Sequence, residues 1–367
     1  MNPATLIPAA DPLTVPSGWF QFLLMLTFPL HLLAMNALLG TALTALAAHL
    51  LPGQPYRRLS HELAKALPFL VAFTVNLGVA PLLFLNVLYG NLFYTSTILM
   101  GLFWLAVIPL VIIAYYLLYL YDFRFRQLGN GAMFVLLAVL ALLLLVGFVF
   151  SNNMTMMIAP AGWNRWFTTP GGTLLNLADP TLLPRYLHMM TGALAVGGLC
   201  AALYVKIALK DDPETAAAGI RLGMGLFSWL SLLQVVLGVW FLTRLQPAVL
   251  RLFMGGSGSA TALLTIGLLM ALAALMAGFR HQVGLAAGLT LPLLYVMAFM
   301  RDTVRTGALA PYFSLDKVPV TSQVQWSPLV LFLVTLVLGL AVIAWMLGKV
   351  ATCTARGEGQ TEEESDN

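Results

Sequence analysis

The chain has 367 residues, of which 60% are apolar and only 9% charged, whereas about a quarter of residues are charged in soluble domains. That ratio excludes a water-soluble globular enzyme and makes the bilayer the solvent. The net charge of +4 is too small to point to a nucleic-acid partner, and the two cysteines, Cys200 and Cys353, form no C-x-x-C or C-x-x-C-H motif, which argues against a thiolate metal site or a covalently attached cofactor.

Read in chain order, residues 1–18 form an external N-terminal segment. They have no basic region, and no small-residue cleavage site follows them, so they do not read as a signal peptide. A crossing needs about 20 mostly apolar residues. Nine such stretches follow, near 19–49, 63–90, 94–121, 131–153, 183–208, 218–242, 260–278, 283–300 and 327–347. The first three exceed one crossing, which predicts tilt or extension beyond the membrane. No internal repeat or soluble domain is evident, so residues 19–348 read as one all-α nine-helix transmembrane domain. The segment 349–367, with Glu362, Glu363, Glu364 and Asp366, reads as an acidic disordered tail.

Orientation follows from Lys and Arg in the short loops. Arg57, Arg58, Lys65, Arg124, Arg126, Lys206, Lys210, Arg221 and Arg280 fall after odd-numbered spans. Those loops are predicted cytoplasmic, with the N-terminus periplasmic and the C-terminus cytoplasmic. Arg165, Arg185, Arg244, Arg251, Arg301, Arg305 and Lys317 are spread over the longer opposite loops, the longest at roughly 154–182 and 301–326.

Five histidines are available, and depth separates them. His61 and His281 lie in loops beside arginines, and His49 lies at the inner end of the first span, where a headgroup or solvent contact is the simpler account. His31 sits well inside the first span with no carboxylate nearby, and His188 opens the fifth, followed by Gly192, Gly197 and Gly198. An ionisable group at that depth is costly unless paired or coordinated, and a neutral imidazole suits iron. Each is either a metal ligand or a hydrogen-bonded core histidine, and spacing alone does not choose. All fourteen Asp and Glu residues fall in predicted loops or tails, which removes a carboxylate proton relay and disfavours a transporter. Asn76, Asn86, Asn91 and Gln234 read first as interhelical hydrogen-bonding partners. Trp19, Trp163, Trp166 and Trp326 read as an interfacial belt.

These features resemble subunit I of the cytochrome bd quinol oxidases over nearly the whole chain. His31 is followed nine residues later by Gly40, as that family's haem-ligating histidine in the first helix is followed by a glycine. Arg185-Tyr186-Leu187-His188 is similar to the opening of the family's fifth helix, whose histidine ligates low-spin haem b. Asn152 to Gly162 resembles an external loop before that helix, and Gly78 to Gly90 resembles a helix that carries a haem-site glutamate. Arg301-Asp302-Thr303-Val304, with Gly307 and Pro311, is similar to the G-R-Q-P-W motif and its sequel.

The departures shape what the resemblance implies. The two glutamates fall at Asn86 and Ala308, which offer neither ligand charge nor acid-base capacity for reducing oxygen. The segment 243–259 replaces a long quinol-binding loop. The methionine that completes the low-spin haem has no counterpart in 259–263, with Met254 just before it and Met270 deeper. The resemblance therefore implies an electron-transfer subunit of a respiratory complex in the bacterial inner membrane, without a working oxygen site. It would bind one or two non-covalent b-type haems on His31 and His188, with Met254 as a further cofactor contact. Arg301 and Arg305 would face haem propionates or anchor the interface. A second membrane subunit and a periplasmic c-type cytochrome are the expected partners, with quinone binding left open. A working quinol oxidase and a haem-free scaffold are the alternatives.

Overall fold

The structure, a computed structural model, describes residues 3–321, 324–342 and 345. Among them the only regular structure besides helix is an isolated bridge between Leu13 and Val320. The chain divides into a large unit, Met1–Asp11 with Ser17–Val318, and a small one, Pro12–Pro16 with Pro319–Asn367.

In hydrocarbon every backbone polar group must be satisfied within its own element, so an apolar chain of this composition folds as helices. Eight in the large unit are long and apolar enough to cross a bilayer. They are α1 (Ser17–Leu50), α2 (Gln54–Leu99), α3 (Gly101–Phe123), α4 (Ala132–Met157), α5 (Leu182–Ala208), α6 (Pro213–Thr243), α7 (Gly258–Phe279) and α8 (Val283–Leu309). Connections such as 51–53 and Met100 are too short for anything but a reversal of direction. Large apolar side chains on the outer faces, among them Phe69, Phe73 and Leu83 on α2 and Leu105 and Ile108 on α3, are exposed, as lipid contact requires. In the small unit Leu13 N–H donates to the Pro319 carbonyl at 2.8 Å, and an apolar helix α9 covers Trp326–Val342. That is the start of the predicted ninth span. Positions 343, 344 and 346–367, which include the predicted tail 349–367, lie outside the described residues.

Packing in the large unit recurs between its halves. α1 packs on α2 as α5 packs on α6, α3 on α4 as α7 on α8, α2 on α3 as α6 on α7, and α1 on α4 as α5 on α8. Between the halves, α1 meets α5 and α8, and α5 meets α1 and α4. The central α1–α5 crossing is made by Gly40 and Gly197, where a methyl on either would fall among the other helix's backbone atoms. Gly198, turned about 100° from Gly197 on the helix, faces Gly223 of α6 instead. Consecutive glycines thus serve two interfaces, since small residues let helix backbones approach where lipid gives no hydrophobic driving force.

Several predicted boundaries are corrected. α2 runs through the expected break at 91–93 to Leu99, because Thr95, Ser96 and Thr97 direct their hydroxyls back to helix carbonyls and no proline intervenes. The helix departs from helical dihedrals at Tyr89 (φ −132, ψ 26). α8 extends to Leu309, so Arg301, Asp302 and Arg305 are helical residues and not loop residues. His61 likewise lies within α2, its ring centroid 4.7 Å from that of Phe125. The loop expected at 154–182 begins inside α4 and contains a 3₁₀ helix, Pro160–Phe167. Trp163 in that helix is buried and donates to the Met156 carbonyl at 2.9 Å, so it holds the loop together and is not part of a surface belt.

Candidate functional site

The upper end of the bundle is defined here as the end that carries the N-terminus of α1. His31 lies on α1, half-buried against α2, with Nδ1 3.1 Å from the Thr74 carbonyl. His188 lies on α5, half-buried against α6, with Nδ1 3.2 Å from the Gln234 carbonyl. A carbonyl can only accept, so each Nδ1 is the protonated nitrogen and each Nε2 keeps its lone pair. Among the described residues neither Nε2 makes a hydrogen bond. A metal-binding histidine needs this arrangement, because the bond at one nitrogen fixes the tautomer and raises the basicity of the other.

Charge gathers beside these rings. The Arg301 guanidinium lies 4.3 Å from the centroid of Phe28, one turn above His31 on α1. The Arg305 guanidinium lies 4.4 Å from the centroid of Tyr89, at the irregular point of α2. Arg185, one turn above His188, lies 5.3 Å from the centroid of Phe241, over which the His188 ring also stacks at 6.4 Å. Arg185 and Arg305 both lie within Coulombic reach of Arg301, and Arg301 within that of His31. Asp302 pairs with Arg305, but Nε of Arg305 and Nε of Arg185 are buried with no hydrogen-bond partner among the described residues. A narrow crevice between α1 and α8 is lined by Leu24, Phe28, Arg301, Asp302 and Arg305. With a volume of about 10 Å³ it has room for little more than one water-sized group.

The expected site residues therefore do not all converge. His31, Arg301 and Arg305 cluster around α1, α2 and α8, and His188 and Arg185 lie on the α5–α6 side. Met254 lies in the connection between α6 and α7, with non-helical dihedrals (φ −99, ψ 34) and 56% exposed. Asn76 bonds within its own helix to the Ala72 carbonyl, Asn91 donates to the Pro8 carbonyl, and the Asn86 Oδ1 is buried with no partner among the described residues. Gln234 contributes through its backbone, while its side chain packs against Gly192. Sequence reasoning gave no role to Thr74, Gly78, Gly238 or the Arg185 guanidinium. The signal that was available is a spacing: glycine follows histidine by nine residues at both His31–Gly40 and His188–Gly197.

The donor chemistry fits haem iron, since a neutral imidazole with its Nδ1 engaged is an iron ligand and unpaired buried guanidinium N–H groups suit carboxylates. Among the described residues no group of three or more His, Cys, Asp or Glu side chains could hold a bare metal ion. Fold and site together define a helical protein whose eight long apolar helices suit a bilayer. Compared with known protein families and with curated proteins, the chain matches none.

Proposed function

We propose that this protein is a multi-pass electron-transfer subunit of a respiratory complex in the bacterial inner membrane, holding one or two non-covalent b-type haems. Its apolar stretches cross nine times, with the N-terminus periplasmic and the C-terminus cytoplasmic. The observation that carries this reading is the pair of membrane-depth imidazoles, each with Nδ1 committed to a backbone carbonyl and Nε2 left as a lone pair. Haem, when bound, supplies reversible one-electron chemistry.

The protein's own groups do the rest. His31 and His188 would hold the haem iron, and the Thr74 and Gln234 carbonyls keep each imidazole protonated on Nδ1. Arg301 and Arg305 would pair with the haem propionates, with Arg185 as a third guanidinium within reach of Arg301. Asn86 and Ala308 provide no acid at the positions where the resembling family has glutamates, so oxygen reduction is not part of the role. Electrons pass to or from a separate periplasmic c-type cytochrome, because this chain has no covalent haem motif, and a second membrane subunit completes the complex.

A reduced-minus-oxidised visible spectrum of the purified full chain tests this. A b-type band is expected in the wild type, diminished in His31→Ala and in His188→Ala. A colourless wild-type protein sinks the proposal, and a band unchanged in both variants removes these ligands.

A further inference from the structure

The two imidazoles are mounted in the same way. Thr74 and Gly78 stand four residues apart on α2, and Gln234 and Gly238 stand four apart on α6. In an α-helix the carbonyl of residue i accepts from the amide of residue i+4, whose side chain leans back over that turn. Where residue i+4 is glycine, the carbonyl is open to a second donor. His31 and His188 each take that opening. A Cβ at Gly78 would lie 2.9 Å from Cε1 and 3.0 Å from Nδ1 of His31, and one at Gly238 would lie 2.9 Å and 3.2 Å from the same atoms of His188. Each ring is rigid and held by its own hydrogen bond, so it cannot yield without leaving the carbonyl. The requirement is local, since Gly225, also on α6, has none of the described residues' atoms within 4 Å of its would-be Cβ beyond its own helix backbone and chain neighbours.

The mounts also occupy corresponding places. Each histidine precedes its crossing glycine, Gly40 or Gly197, by nine residues, and those glycines touch. The two imidazoles therefore stand at matching heights, about 13 Å of helix above a shared crossing. The helix pairs that carry them pack alike on either side of it. One buried histidine satisfied by a nearby carbonyl has an ordinary explanation in polar burial. Two with the same carbonyl-and-glycine seat, on helix pairs that pack in the same way, point to a common task.

We propose that Gly78 and Gly238 are positioning residues of two equivalent imidazole mounts, each seating its histidine on the carbonyl one turn earlier so that Nε2 is the iron-binding nitrogen. This rests on the haem reading and deepens it. The bond to the carbonyl makes the imidazole a better donor, which favours the ferric state. Displacing the ring weakens the site and raises its potential.

The test uses the full chain in detergent as wild type, Gly78→Ala, Gly238→Ala and Gly225→Ala, with haem affinity and midpoint potentials measured for each. ¹⁵N-histidine spectra of the wild type without haem report the tautomers. Each mount variant is expected to bind haem about 10–100-fold more weakly at its own centre. Every tenfold loss confined to the ferric form raises that centre's potential by about 59 mV. Gly225→Ala should match the wild type, and His31 and His188 should be protonated on Nδ1. Wild-type affinity and potential in both mount variants, or protonation on Nε2, overturns the proposal and leaves the haem reading intact. A wild type without haem overturns both. If an alanine variant does not fold, the other variant and the wild-type tautomers decide.

Discussion

Gly40 of α1 and Gly197 of α5 meet backbone to backbone at the centre of the bundle, with the Asn36 carbonyl of α1 filling the space a Cβ on Gly197 would need. Neither neighbour is a flexible side-chain tip, so the helices themselves must separate to admit a methyl. Gly40→Ala and Gly197→Ala should each destabilise the protein by about 1–3 kcal/mol, the usual cost of overpacking. Gly225→Ala, in open space, should be neutral. Thermal unfolding in detergent checks this, and equal midpoints for all three variants would show that the crossing is looser than described.

At the upper end, Asn152 and Asn153 are fully buried at the end of α4. The Asn152 side-chain Oδ1 accepts from the Asn176 backbone N–H at 2.8 Å, and the Asn152 and Asn153 side-chain amides both donate towards the Met100 sulfur. Asn176 in turn donates to Asp179, which accepts from the N–H and hydroxyl of Thr181 just before α5. Replacing Asn152 with Leu leaves the buried Asn176 N–H unpaired, a cost of about 1–3 kcal/mol. The segment 158–181 should then exchange its amide hydrogens and be cut by protease faster than in the wild type. Unchanged protection there would mean that another group takes over the Asn176 amide.

Much of the fold was legible because membrane helices announce themselves by apolar length, and eight of the stretches so read are long apolar helices. Their ends were harder. A hydroxyl that bonds back to its own helix, as at Thr95, carries the helix through polar sequence, and an arginine whose guanidinium stacks on Phe28 or Tyr89 can stay helical and at least half-buried where charge alone suggested a loop. The depth of His31 and His188 singled them out in the sequence. Their seats were not legible, because the group that receives each ring is a backbone carbonyl, and a carbonyl has no letter. Only the glycine that exposes it does, and glycines are common in such helices for packing reasons.

At the lower end, Asp212 caps α6, accepting from the Thr215 hydroxyl at 2.7 Å and the Thr215 N–H at 3.1 Å, and pairs with Arg58 of α2 at 3.5 Å. The Thr215 bonds, more than Arg58, hold the Asp212 carboxyl below its ordinary value. A depressed folded-state value means that the contribution is fully present above the unfolded carboxylate range, near pH 3.9, and is lost as pH falls through the folded value. Asp212→Asn keeps a competent cap and removes the titration. Stability measured from pH 7 down to pH 3 should therefore fall less steeply in the variant than in the wild type. Parallel curves would show that Asp212 adds nothing to the acid limb.

Arg305 is nearly buried beside Arg301, and within reach of Arg301 lies Arg185, while Asp302 pairs with Arg305. Removing the carboxylate leaves the guanidinium cluster short of its compensating charge, and breaking a buried pair from one side costs about 3–5 kcal/mol. Asp302 is partly exposed, so solvent screening should hold the loss for Asp302→Ala below that range. The double variant Asp302→Ala/Arg305→Met removes the stranded charge together with its partner and keeps the apolar stem against Tyr89, so it should be more stable than Asp302→Ala alone. Unfolding midpoints of the wild type, both single variants and the double variant give the coupling between the two side chains. A double variant whose loss equals the sum of the two single losses would mean that Asp302 does not serve to hold Arg305 in place.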